Sequence, residues 1–104
     1  MKTEYVSQLF GTLSSPVRLQ IFQALSAQGS KGMIAGDLAK QLNIAPNNLS
    51  FHLKTLTLAG LIHSRQAGRF VHYYANLALM VELVAFLTTN CCKESDDPNC
   101  KFCG

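Results

Sequence analysis

Between Leu38 and Val81 the sequence has neither aspartate nor glutamate. The same stretch carries Lys40, Lys54, Arg65 and Arg69, four cations against no carboxylate, so its local charge is +4 with His52, His63 and His72 neutral. Residues 91–104 lack that bias, since Lys93 and Lys101 stand there against Glu94, Asp96 and Asp97. The acid-free middle is therefore the expected polyanion surface, and the tail is not. Low-complexity tracts are missing too, which with an apolar share of 48% argues for a folded globule. No continuous apolar segment follows Met1-Lys2-Thr3-Glu4-Tyr5, so a signal peptide is not expected. The longest apolar run, Leu77 to Leu87, is broken by Glu82 and is too short to span a bilayer. No membrane partner and a cytoplasmic location follow as expectations. Cysteine is absent from the first ninety residues, and all four cysteines, Cys91, Cys92, Cys100 and Cys103, fall in the last fourteen. In a reducing cytoplasm such clustering points to a metal or redox site rather than to a disulfide framework.

What is present reads as one domain of mainly helical type followed by a sensor tail, with residues 1–90 forming the first and residues 91–104 the second. Tyr5, Val6, Leu9, Phe10 and Leu13 recur at helical spacing and predict a first helix over about Thr3 to Leu13. Ser15 as cap and Pro16 in the first turn open a second helix, which carries Val17, Ile21, Phe22 and Leu25 and stops near Gly29. Ile34 to Leu42 predicts a short third helix, and Asn43-Ile44-Ala45 turns directly into a fourth. That fourth helix is framed by Pro46 and by Gly60, which supplies a left-handed stop. Its Leu49, Leu53, Leu56 and Ala59 face inward. Its other face presents Asn47, Asn48, Ser50, His52 and Lys54, and no carboxylate. Amides and hydroxyls pair with base edges while a cation meets phosphate, so this face suits double-stranded DNA. Two helices joined by so tight a turn make a helix-turn-helix whose second member enters the major groove.

After Gly60 the period shortens to two. Ile62 to Gln66 and Arg69 to Ala75 predict a two-stranded hairpin around Ala67-Gly68, with Arg65 and Arg69 flanking the turn and placed for phosphate or minor groove. The fold expected is thus a winged helix-turn-helix of five helices and a two-stranded wing. Asn76 caps the last helix, predicted from Leu77 to about Asn90. One of its stripes holds Leu77, Met80, Val81, Val84 and Leu87, and another holds Leu79, Leu83 and Phe86. A helix this apolar needs cover on two sides, and the simplest second cover is a partner copy, giving a homodimer through the first and last helices.

Four segments in this order resemble the ArsR/SmtB family of winged helix-turn-helix metalloregulators. They are Leu-Ser-Ser-Pro-Val-Arg-Leu-Gln-Ile-Phe (13–22), Leu-Ser-Phe-His-Leu-Lys-Thr-Leu (49–56), Ala-Gly-Leu-Ile (59–62) and Gly-Arg-Phe-Val-His-Tyr-Tyr (68–74). The resemblance implies a dimeric repressor that leaves operator DNA when a metal or metalloid binds. One arsenic-sensing type in the family carries Cys-x-Cys before the recognition helix, where this sequence has Ile34 and Gly36. Zinc sensors of the family use Asp and His on the last helix, which here offers Asn76 and no histidine. The run Leu-Thr-Thr-Asn-Cys-Cys is similar to arsenical-resistance repressors whose three-cysteine site lies at the C-terminal end. That resemblance implies Cys91, Cys92 and Cys100 as ligands, with Cys103 an extra, and As(III) as inducer with Sb(III) as its analogue.

The chemistry agrees, because trivalent arsenic takes three thiolates in a pyramid and soft thiolates select soft ions. Adjacent helical residues point about 100° apart, so Cys91 and Cys92 converge on one ion only where a helix ends. Other readings of the tail remain open. Cys100-x-x-Cys103 has zinc-knuckle spacing, which admits zinc, cadmium or lead. A Cys100–Cys103 bridge would make a redox sensor, and a tail without any ligand is the plainest alternative. A small thiol-based enzyme for arsenic or metal handling is the alternative from a different class. Against it stand the lack of a second domain and the lack of His or Lys near the tail beyond Lys93 and Lys101.

Overall fold

The computed structural model describes residues 1–89. Helices α1 (Thr3–Leu13), α2 (Pro16–Gln28), α3 (Ala35–Leu42), α4 (Pro46–Leu58) and α5 (Leu77–Thr88) are joined by strands β1 (Met33–Ile34), β2 (Ile62–Ala67) and β3 (Phe70–Ala75). Local chemistry sets each boundary. The Ser15 hydroxyl accepts from the Arg18 backbone N–H at 3.4 Å, with Pro16 in the first turn of α2. The Arg18 Nε donates to the Thr12 carbonyl at 2.7 Å and pins the corner between α1 and α2. Asn43 takes a left-handed conformation (φ 54°, ψ 50°), and the N–H groups of Asn43 and Ile44 return to the end of α3. That is the usual way to stop a helix abruptly, and it leaves only Ile44 and Ala45 before Pro46 opens α4. Gly60 ends the segment with φ 83° and donates its N–H to the Thr57 carbonyl.

The wing has three strands rather than two. Strand order is β1-β3-β2, all antiparallel, with Met33 opposite Tyr73 and Ile34 opposite His72. A two-residue strand is too short to show a period of two, so sequence pattern assigns Ile34 to the following helix instead. Gly32 makes this third pairing possible. With φ 62°, a Cβ there would sit 2.6 Å from Tyr74 Cε1 and 2.7 Å from the Tyr73 carbonyl oxygen. The hairpin turn also lies one residue later than expected, at Gly68-Arg69, with Ala67 paired to Phe70. A positive φ at Gly68 (62°) and none at Arg69 is the pattern of a type II′ turn, which needs glycine only at its first central position.

The core gathers one side of every helix. Leu9, Ile21, Leu25, Leu38, Leu49, Leu56 and Leu83 are fully buried, together with Leu61 and Ile62 at the start of the wing. Among the described residues no charged or polar residue is buried with them. Asn76 ties the last helix to the end of α4. Its Oδ1 accepts from the Leu79 N–H (3.2 Å), and its Nδ2 donates to the Gly60 carbonyl (2.9 Å) at the end of α4. Replacing Asn76 by Ala removes both bonds and leaves a half-buried carbonyl unsatisfied. The expected cost is about 1–3 kcal/mol, read as a lower urea midpoint with unchanged m-value.

Candidate nucleic-acid interface

Leu49, Leu53 and Leu56 are buried and fix which side of α4 looks inward. At about 100° per residue, the outward line opposite them carries Asn47, Phe51, Lys54 and Leu58, with Asn48 to one side and Ser50 to the other. Asn47, Asn48, Ser50 and Lys54 are all exposed. Among the described residues, none of their side chains spends its hydrogen-bonding groups on the protein. The hydroxyls of Thr55 and Thr57 behave otherwise, since they turn back to the carbonyls of Phe51 (3.1 Å) and Leu53 (2.7 Å). The α4 surface thus divides into committed threonines and uncommitted amide, hydroxyl and ammonium groups. The latter are the types that read base edges and phosphates.

His52 differs from its neighbours on the helix. It is half-buried, its Nδ1 is enclosed without a hydrogen-bond partner among the described residues, and its ring meets that of Phe51 edge-on with centroids 5.8 Å apart and planes at 77°. The described structure therefore gives it a packing contact, and any DNA contact falls to its remaining edge.

The wing lies against the far part of α4. Ser64 and Tyr73 face Lys54, Thr57 and Leu58 across a cleft of about 300 Å³. Because side chains alternate across a strand, Arg65 falls on the opposite face of the sheet, directly across from His72. Arg69 sits in the turn at the wing tip, and both arginines are exposed. The structure thus brings Asn47, Asn48, Ser50 and Lys54 onto one helix and sets Arg69 at the end of the wing. It turns Arg65 away from the cleft beside α4. Lys40 lines the seam between α3 and α4 next to Pro46 and Ser50, adding a cation at the start of α4. Two residues that the polar-face reading passes over are Phe51 and Leu58, which are 66% and 79% exposed. The spacing from Leu49 is the signal that finds Phe51, since two residues on from a core position points outward.

The four cysteines lie outside the described residues. Among residues 1–89 no group of three His, Cys, Asp or Glu side chains is arranged to hold a metal ion. Ile34 is a strand residue and Asn76 a helix cap, so both positions have structural duties here.

A family model described as a helix-turn-helix domain matches residues 13–65, half of the chain, running from the end of α1 into β2. The structure is similar to an ArsR-like transcriptional regulator from Rhodococcus sp. RHA1, with a TM-score of 0.74 and 27% identity over 83% of this chain and 78% of that one. The chain belongs to the helix-turn-helix family, as an ArsR/SmtB-type winged-helix regulator. The transcriptional repressor SdpR of Bacillus subtilis is 28% identical to this regulator over 82 residues, covering 79% of it and 88% of SdpR. A homodimeric winged helix-turn-helix DNA-binding domain from Mycobacterium bovis shares the fold at a TM-score of 0.66 and 23% identity, over 84% of this chain and 81% of that one. None of the described helices of the regulator is long and apolar enough to cross a membrane.

Proposed function

We propose that this regulator is a dimeric repressor that binds operator DNA through α4 and the wing tip and releases it when As(III) is held by Cys91, Cys92 and Cys100. The observation that carries the DNA half is the acid-free outer face of α4, whose Asn47, Asn48, Ser50 and Lys54 hold unspent hydrogen-bonding groups. Lys54 and Arg69 meet phosphates, while Asn47, Asn48 and Ser50 read bases from the leading turns of the helix. Arg65 and His52 serve the backbone from the flanks. A gel shift with the DNA upstream of its own gene tests this. Binding should weaken with salt, and Lys54→Gln or Arg69→Gln should weaken it on every sequence while lowering the salt slope by about one per lost phosphate contact.

The dimer half rests on the apolar residues left outside the core. Leu83 is buried, yet Val81 (68% exposed), Val84 (53%), Leu77 and Leu87 point to solvent along α5. Tyr5 and Phe10 do the same on α1. The Tyr5 hydroxyl and the Leu79 side chain both lie beside Gly60, so α1 and the start of α5 share one side of the domain. A second copy covers this surface, and two α4 helices then meet successive major grooves about 34–36 Å apart. The Mycobacterium bovis domain of the same fold is homodimeric.

The inducer half rests on donor chemistry and position. Three thiolates suit a pyramidal As(III) or Sb(III), and Cys91 follows Thr88, the last residue of α5, by three positions. Bound there, As(III) supplies a soft cross-link between three thiolates next to the helix that joins the two copies. A change in α5 reaches the DNA-reading helix through Asn76, whose amide grips the Gly60 carbonyl at the end of α4. A second reading, of cadmium, lead or zinc on four thiolates, draws on Cys103, three residues after Cys100. X-ray absorption at the arsenic edge, on the wild type and on Cys103→Ser, separates the two. Three sulfur neighbours in both proteins support the set above.

A further inference from the structure

We infer that Phe51 is a specificity residue that recognises the C5-methyl group of thymine in the major groove, with His52 as its positioning residue. This rests on the reading of α4 as a DNA reader and names part of what it reads. Phe51 is a large aromatic residue, 66% exposed, set between the polar Asn47 and the charged Lys54 on the outward line of α4, with Leu58 the other exposed apolar residue at its far end. It is not left over from the core. The buried residues Leu49, Leu53 and Leu56 put it about 200° round the helix, in the middle of the outer face. Asn47 lies one turn before it and Lys54 one turn after, so a base pair met by Asn47 and a phosphate met by Lys54 bracket whatever Phe51 touches.

Within a major groove the apolar group at a base edge is the thymine methyl, and a phenyl ring is one of the side chains that pack on it. The absence of acidic residues from Leu38 to Val81 fits this occupant rather than a cationic protein surface. The ring is also braced. It meets the half-buried imidazole of His52 edge-on at 5.8 Å, and the Nδ1 side of that imidazole is enclosed by the protein. An exposed phenylalanine free to rotate would lose rotamer entropy on entering the groove, whereas one held against His52 loses less. His52 thereby gains a role in base reading through Phe51, beside the backbone contact of its remaining edge.

The test compares two duplexes of the protein's own upstream region, one made with thymine and one with uracil throughout, which differ only in the methyl groups. Anisotropy titrations use the wild type, Phe51→Ala and Lys54→Gln. Burial of one methyl group corresponds to roughly four-fold in affinity, or about fifteen-fold if each half-site of a dimer loses one. The wild type should prefer the thymine duplex by a factor in that range. Phe51→Ala should bind both duplexes equally, with an unchanged salt slope and an unchanged circular dichroism spectrum. Lys54→Gln should weaken binding to both duplexes and keep the preference. For His52 the readout is the ratio, so His52→Ala should reduce the preference for thymine more than it reduces overall affinity. Equal binding of the two duplexes by the wild type, or a thymine preference retained in Phe51→Ala, overturns the inference alone. Failure of the wild type to bind either duplex with salt dependence overturns the DNA-reading role of α4 and this inference with it.

Discussion

The double variant Val81→Asp, Val84→Asp should sediment as a monomer and bind the upstream DNA at least about 100-fold more weakly than the wild type. Both side chains are more than half exposed in the single copy, so carboxylates there stay hydrated and the fold survives. Against a second copy the same carboxylates face apolar surface and each other, and burying unpaired charge costs several kcal/mol per ion. The DNA effect is larger than the loss of any single contact. A dimer engages its second half-site intramolecularly, and that avidity is worth about 10²–10⁴ in affinity. Sedimentation equilibrium and anisotropy on the same samples separate the two effects. A variant that stays dimeric would place the interface elsewhere. One that becomes monomeric yet binds DNA as tightly as before would show that a single helix-turn-helix suffices.

The second large effect falls on the tail. Cys91→Ser and Cys92→Ser should each leave operator affinity without arsenite unchanged within two-fold, because no thiol belongs to the reading helix or the wing. Both should abolish the response to arsenite. In the wild type, saturating arsenite is expected to lower operator affinity about 5- to 150-fold, the usual range for coupling between two sites. Linkage adds a check that needs no mutation, since operator DNA must weaken arsenite binding by the same factor. Isothermal titration of arsenite into the protein, with and without the duplex, measures it. A serine variant that loses DNA binding along with its response would instead assign the cysteine to folding.

Much of this architecture is legible in the sequence because its helix ends are written in cap residues. Ser15-Pro16, Asn43, Pro46, Gly60 and Asn76 each do locally what their types predict, and the five helices follow to within a residue or two. The wing was less legible. Its third strand is two residues long and owes its place to Gly32 passing under Tyr74, a tertiary contact that no local pattern announces. The turn moved by one residue because Gly68 can supply a positive φ and Ala67 cannot, so the glycine sets the register. Charge and amide content single out the outer face of α4, but they carry no signal for Phe51, an aromatic residue on a polar face. Arg65 and Arg69 look equivalent along the chain, yet strand alternation and the turn send them to different places. The thiols at Cys91, Cys92 and Cys100 lie outside the described residues, and thiolate softness with the run Leu-Thr-Thr-Asn-Cys-Cys is what makes them legible.

On the function proposed above, metalloid binding at the thiols ends DNA binding at α4. This is tested most directly by anisotropy of the labelled upstream duplex held by the wild-type protein at one fixed salt concentration, titrated with arsenite. Release of the duplex is expected at a stoichiometry of one arsenic per protomer, with no release from Cys91→Ser under the same conditions. Stoichiometric arsenite binding that leaves the duplex bound would contradict it.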